Sequence, residues 1–138
     1  LRLPVALTFI GASAFKDNQI SGEVILPDTV ETLGISAFEN NKINSVALSN
    51  GLSWKIANQA FYKNLLTSLI LPSTISEIGD YSFGENDIVR IEIGALMSFN
   101  VYNHALGKYS TRFIELYKET GSQAGVYEYS NDAWIKIA

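Results

Sequence analysis

The sequence predicts a mostly β repeat solenoid of the α/β-repeat type, with one short parallel strand per 22–23-residue turn and a C-terminal β-meander cap. Three observations lead there. The dipeptide Ala-Phe recurs as Ala14-Phe15, Ala37-Phe38 and Ala60-Phe61, then weakens to Ser82-Phe83 and Ala105-Leu106, so its second members stand 23, 23, 22 and 23 residues apart. Three residues after each Phe comes an asparagine: Asn18, Asn41, Asn64 and Asn86. Between these marks lie the pairs Leu1/Leu3, Val24/Leu26, Val46/Leu48, Leu69/Leu71 and Ile91/Ile93, which alternate at period two as half-buried strands do.

Further columns keep the same period. Five residues before each Phe or Leu stand Ile10, Leu33, Ile56, Ile78 and Val101, and five after each Phe stand Ile20, Ile43, Leu66 and Ile88. Pro4, Pro27 and Pro72 follow the strand pairs and end the ladder, because proline has no N–H to donate; Ser49 and Gly94 take that place elsewhere. Gly11, Gly34 and Gly79, with Ala57 in the third unit, suit a tight bend where the chain reverses. The asparagines suit a ladder. Amides stacked one rung apart, about 4.8 Å, can bond one another and the turn backbone, which would otherwise be buried unpaired. A glycan or metal surface is the functional alternative for that column.

The third unit departs from the pattern. One residue is missing before Val46 and one is added around Ser53-Trp54-Lys55, so the period survives while the surface changes. Trp54 is either packing that fills this distortion or an exposed anchor for a partner. After Leu106 the repeat fails. Phe113, Glu115 and Tyr117 alternate with Ile114, Leu116 and Lys118, and turns are expected at 121–125 and 130–132, which reads as three strands. The expected division is repeats over 1–108, about four and a half units, and a cap over 109–138. A solenoid end exposes an apolar cross-section that must be covered. Tyr117, Tyr127, Tyr129 and Trp134 supply that cover, or alternatively a carbohydrate-binding stack.

The pattern apolar-x-apolar-Pro, then Ile-Gly-x-x-Ala-Phe, then Asn-x-Ile resembles the BspA-like leucine-rich repeats of bacterial surface proteins. It stands here as Val24-Ile25-Leu26-Pro27 and Ile78-Gly79-Asp80-Tyr81-Ser82-Phe83, and the resemblance runs from residue 1 to about 106. It implies a right-handed solenoid, extracellular or at the cell surface, and often part of a larger adhesin-like protein. Members commonly carry Cys where this chain has Asn. The resemblance brings no catalytic residues, and its ligands vary from member to member.

Composition narrows the function classes. A net charge of −4 opposes a nucleic-acid surface, which needs clustered Lys and Arg, and opposes electrostatic docking on anionic lipid. No apolar run is long enough to span a bilayer, so membrane insertion is not expected. The start, Arg2 followed by apolar residues and Ala12-Ser13-Ala14, imitates a secretory leader, but the repeat claims those residues; the first residue reads as a cut into a longer protein. The absence of Cys excludes disulfides and thiolate chemistry. His104 is the single histidine and reads as a solvated surface residue, leaving zinc sites and hydrolase triads without members. Glu77, Asp80, Glu85, Asp87 and Glu92, relieved by Arg90, match no calcium loop and read as a solvated acidic face. No cofactor and no enzymatic activity are expected.

One feature points to binding. The residue between the two core positions of each strand faces outward: Arg2, Ile25, Ala47, Ile70 and Glu92. Stacked one rung apart, Ile25, Ala47 and Ile70 form an apolar stripe with charged ends, the form of a contact site, unless they serve strand propensity alone. The expected function is an extracellular module binding a protein or glycan through this face and, in part, through Trp54. The alternative is a passive spacer in a larger surface protein. The first unit also leaves an open apolar edge, so the expectation is either further repeats upstream in a longer protein or end-to-end association of this chain.

Overall fold

The computed structural model describes residues 1–94, 100–101 and 104–138. In chain order the strands of the repeats are β1 (Phe9–Ile10), β2 (Ser21–Ile25), β3 (Thr32–Leu33), β4 (Lys42–Ala47), β5 (Trp54–Ile56), β6 (Ser68–Leu71), β7 (Ile75–Ile78), β8 (Arg90–Ile93) and β9 (Asn100–Val101). Helix α1 (Ser110–Glu119), β10 (Gly125–Ser130) and β11 (Ala133–Lys136) follow. The strands wind into a β-solenoid of about 4 turns, as the repeat columns predict. Each turn carries two strands rather than the single one expected. The anticipated ladder is β2 beside β4 and β6 beside β8, both parallel; the second is β1 beside β3, and β5–β7–β9 in parallel order. The extra ladder forms around the column of Ile10, Leu33, Ile56 and Ile78, all buried. The pair Leu1/Leu3 forms no strand: Leu1 is exposed and Leu3 only half-buried, because no neighbouring strand pairs with them.

Between the ladders, Phe15, Phe38, Phe61 and Phe83 stack as the sequence predicts, with centroids 4.9, 5.3 and 5.4 Å apart and planes within 8°. Phe38, Phe61 and Phe83 are fully buried, whereas Phe15 at the open end is half-buried. The backbone at this corner has its own hydrogen-bond order. Ser13, Phe15 and Asp17 donate their N–H groups to Ile35, Ala37 and Glu39 of the next turn, and Ser36, Phe38 and Asn40 donate to Asn58, Ala60 and Tyr62. This alternation requires left-handed residues on both sides of each Phe. Ser13, Ser36, Gln59, Tyr81 and His104 on one side, and Asp17, Asn40, Lys63 and Glu85 on the other, all have φ between 52° and 58°. Such a conformation costs a side-chain-bearing residue roughly 1–2 kcal/mol, and the bonds between turns offset that cost.

The asparagine ladder is present, but its bonds differ from the amide-to-amide stack expected. Asn64 donates Nδ2 to Phe38 O of the preceding turn at 2.9 Å and to Phe61 O of its own at 3.1 Å, while its Oδ1 accepts from Ile43 N at 3.0 Å. Asn41 and Asn86 repeat the pattern. Each amide thus bridges two turns of backbone at the Phe corner, which satisfies groups sealed from water. Asn18, with no turn before it, bonds only Phe15 O and Lys16 O and is exposed.

The glycine column has a different reason from the bend proposed for it. Gly11, Gly34 and Gly79 do not adopt positive φ. A Cβ at Gly34 would lie 2.4 Å from Ala12 N, and one at Gly79 would lie 2.2 Å from Asn58 Oδ1 and 2.8 Å from Asn58 N. At these two the turns approach too closely for a side chain, whereas Gly11 has room for one. The prolines end their strands by opening turns: Val30 N donates to Pro27 O and Ile75 N to Pro72 O. The irregular third unit also has a structural trace. Register shifts occur between Gly22 and Glu23 against β4, and between Trp54 and Lys55 against β7.

The C-terminal segment corrects the three-strand meander. Residues 110–119 form α1, not a strand, with Ser110, Phe113 and Tyr117 on its buried side. Only β10 and β11 form a hairpin, and β10 pairs antiparallel with β8, extending the outer ladder by two strands. Phe113, Tyr117, Tyr127 and Trp134 are buried together, Phe113 contacting the other three at 5.1–6.0 Å between centroids. Tyr117 Oη donates to Gly94 O at 2.8 Å and so ties this aromatic group to the last turn.

Candidate functional site

Parallel register places Ile25 opposite Ala47, and Ile70 opposite Glu92, with the neighbouring Val24, Leu69 and Ile91 turned into the core. Ile25 is 54% exposed and Ile70 62%, and both Ala47 and Glu92 face solvent. Strand alternation therefore sets these four predicted residues on one face. The face has a joint. β4 and β6 form no ladder with each other; they meet where Leu65 N donates to Ile43 O, and Leu65 is itself 58% exposed beside that joint.

The predicted charged ends are not where the sequence put them. Arg2 is exposed but belongs to no strand, so it has no position in the ladder. Glu92 lies inside the surface, with Ile70 on one side and Val126 of β10 on the other. Among the described residues Glu92 makes no ion pair. Beyond Val126 the row continues to Ile137, whose N–H donates to Val126 O. The adjacent row runs Ser68, Arg90, Glu128 and Ile135, and Arg90 pairs with Glu128 across the β8–β10 junction. Sequence reasoning missed Val126, Ile135 and Ile137 because it treated the C-terminal segment as a lid over the core, not as more of the same sheet. The alternation in Val126-Tyr127-Glu128-Tyr129 was the available signal.

Trp54 begins β5, on the second ladder and away from this row; its side chain lies outside the described residues. His104 is exposed and stacks on Tyr81 at 5.5 Å. Within the acidic stretch, Glu77 pairs with Lys55. Among the described residues no group of three or more His, Cys, Asp or Glu is placed to hold a metal ion. No helix among them is long and apolar enough to cross a membrane.

The cap aromatics divide into two sets. Phe113, Tyr117, Tyr127 and Trp134 face inward, while Tyr109 and Tyr129 are half-buried and stack at 4.1 Å between centroids, 17° apart in plane. Partial burial, followed by the nearby Asp132 carboxylate, raises the Tyr129 phenol above its ordinary value of 10.0, so it remains a neutral hydroxyl at physiological pH.

A family model for the BspA type leucine rich repeat region matches residues 1–109 in 6 copies. No curated protein matches the chain. No solved structure matches it either.

Proposed function

The chain belongs to the BspA-type leucine-rich repeat family, and on that premise we propose that it is an extracellular, adhesin-like module of a bacterial surface protein that binds a protein or glycan through its outer strand face. One observation carries this reading: Ile25 and Ile70 stand more than half exposed on strands whose backbones are already hydrogen-bonded. Large β-branched side chains held rigidly in solvent lose little entropy on contact, and apolar patches with polar rims favour association. Ile135 adds exposed apolar area on the same sheet, with Leu65 beside the joint and Ile137 just past β11, and Glu92, Arg90 and Glu128 supply polar points that set register with a partner.

An array of extracellular-matrix proteins and surface glycans tests the proposal, probed with the intact chain and with the double variant Ile25→Lys/Ile70→Lys. The expected result is a ligand bound by the intact chain and bound at least tenfold more weakly by the variant, because charge replaces a desolvated apolar contact. The thermal midpoint of the variant stays close to that of the parent. A ligand held equally well by both chains moves the site to the Trp54 strand or the cap. An intact chain that binds nothing on the array supports the passive spacer.

A further inference from the structure

We propose that the cleft between the last repeat turn and the cap binds one acidic saccharide residue, a sugar ring carrying a carboxylate. The cleft holds about 220 Å³ and is lined by Lys108, Tyr109, Thr111, Arg112 and Tyr129. Its volume falls below the roughly 300 Å³ at which drug-sized sites begin, which suits a single ring rather than a long chain. Its lining residues include no acid, although the protein carries a net charge of −4; the neighbouring carboxylate, Asp132, accepts from the Tyr129 hydroxyl at 3.5 Å. Two of its ten Lys and Arg residues converge here instead.

Each lining group has a task that fits such a ring. Arg112 is anchored by donating Nη1 to the backbone O of Asp132 at 3.1 Å and forms no ion pair among the described residues, the Asp132 carboxylate being turned to the Tyr129 hydroxyl instead. A guanidinium so placed takes a carboxylate through parallel N–H bonds. Lys108 Nζ lies 5.4 Å from the centre of the Tyr109 ring and adds a second positive charge on the same side; its far side borders a groove lined by Glu85 and Asp87, which confines the anion to the tyrosine side. The stacked Tyr109–Tyr129 pair gives the cleft an aromatic wall against which the C–H groups of a sugar can pack, and Trp134 fixes it by donating Nε1 to Tyr109 O at 2.9 Å. The Thr111 hydroxyl can bond sugar hydroxyls, and the Tyr129 phenol oxygen, whose proton points to Asp132 Oδ1 at 3.5 Å, can accept from one.

Phe113, Tyr117, Tyr127 and Trp134 form the buried cap core, and Tyr109 and Tyr129 pack on its outside, half-buried. Alternation along β10 also separates the two surfaces: Tyr129 lies on the face of Tyr127, whereas Val126 and Glu128 lie on the opposite one. The outer strand face and the cleft can therefore succeed or fail independently.

Amide-resolved NMR titration of the whole chain with methyl β-D-glucuronide, methyl β-D-glucoside and sodium acetate tests the assignment. The expected result is saturable shifts centred on Tyr109, Thr111, Arg112 and Tyr129 with the glucuronide, and affinities at least tenfold weaker for the neutral glycoside and for acetate. Arg112→Gln and Lys108→Gln, both at exposed positions, should each weaken glucuronide binding several-fold while leaving the amide spectrum of the repeats unchanged. Acetate binding as tightly as the glucuronide overturns the sugar assignment. Glucuronide shifts that are absent, lie elsewhere or survive both substitutions overturn the site.

Discussion

Replacing Asn64 with alanine removes one amide from the bridge between the second and third Phe corners. The bonds are unequal in consequence. Phe38 O keeps a second donor in Asn41 Nδ2 at 3.1 Å, and Phe61 O keeps Asn86 Nδ2 at 2.9 Å, so neither carbonyl is stranded. Ile43 N–H does lose its acceptor, in a buried segment. An orphaned buried donor costs about 1–3 kcal/mol, and each of the two lost donations adds about 0.5–1 kcal/mol. Asn64→Ala should therefore destabilise the protein by about 2–5 kcal/mol. Asn18→Ala supplies the control. Asn18 is exposed, bonds no earlier turn, and shares Phe15 O with Asn41, so its loss should cost less than about 1 kcal/mol. Urea unfolding followed by circular dichroism reads both values, provided the denaturant slope is unchanged. An Asn64→Ala cost no larger than that of Asn18→Ala would refute the bridging account.

The phenylalanine stack gives a parallel comparison: Phe61→Ala, sandwiched between two rings, should cost about 3–5 kcal/mol, and Phe15→Ala, with one ring face open, clearly less in the same unfolding series. A Phe61→Ala cost under about 1 kcal/mol would contradict the assigned register. At the open edge, β1 and β2 each have a partner on one side only, and Leu1 is 43% exposed. Expressed as these 138 residues by themselves, the chain should associate end to end as its concentration rises; sedimentation velocity showing a monomer at millimolar concentration would count against that.

The repeat was legible because one chemical type recurs at each core position. Phe, Asn and the aliphatic columns persist through all or most turns, and a stacked ring or bridging amide admits few substitutes. The left-handed positions carried no such mark. Ser13, Ser36, Gln59, Tyr81 and His104 share a φ near 55° yet have nothing chemical in common, and the first three are held there by backbone bonds to the next turn rather than by their side chains. The second ladder was also hidden. Phe9–Ile10 and Thr32–Leu33 are two residues long, too short for alternation to show. In the cap, Phe113, Ile114, Leu116 and Tyr117 fit an alternating strand only loosely and fit the i, i+1, i+3, i+4 spacing of a helix better, which is what forms. For the outer strand face, inward and outward positions followed from period two, and Ile25, Ala47 and Ile70 were found that way. The addition of Val126 and Ile137 was not, because pairing of β10 with β8 is a long-range contact that no local pattern records.

The outward row can be tested without knowing any ligand, because the chain has no cysteine to compete with introduced labels. Ile25→Cys/Ala47→Cys places two thiols on adjacent rungs, about 4.8 Å apart along the ladder. Pyrene maleimide should react with both thiols in the folded protein at the rate of a free peptide, and the labelled chain should show strong excimer emission that vanishes in urea. Slow labelling until the protein unfolds, or monomer emission alone from the doubly labelled native chain, would show that these residues do not share an exposed face.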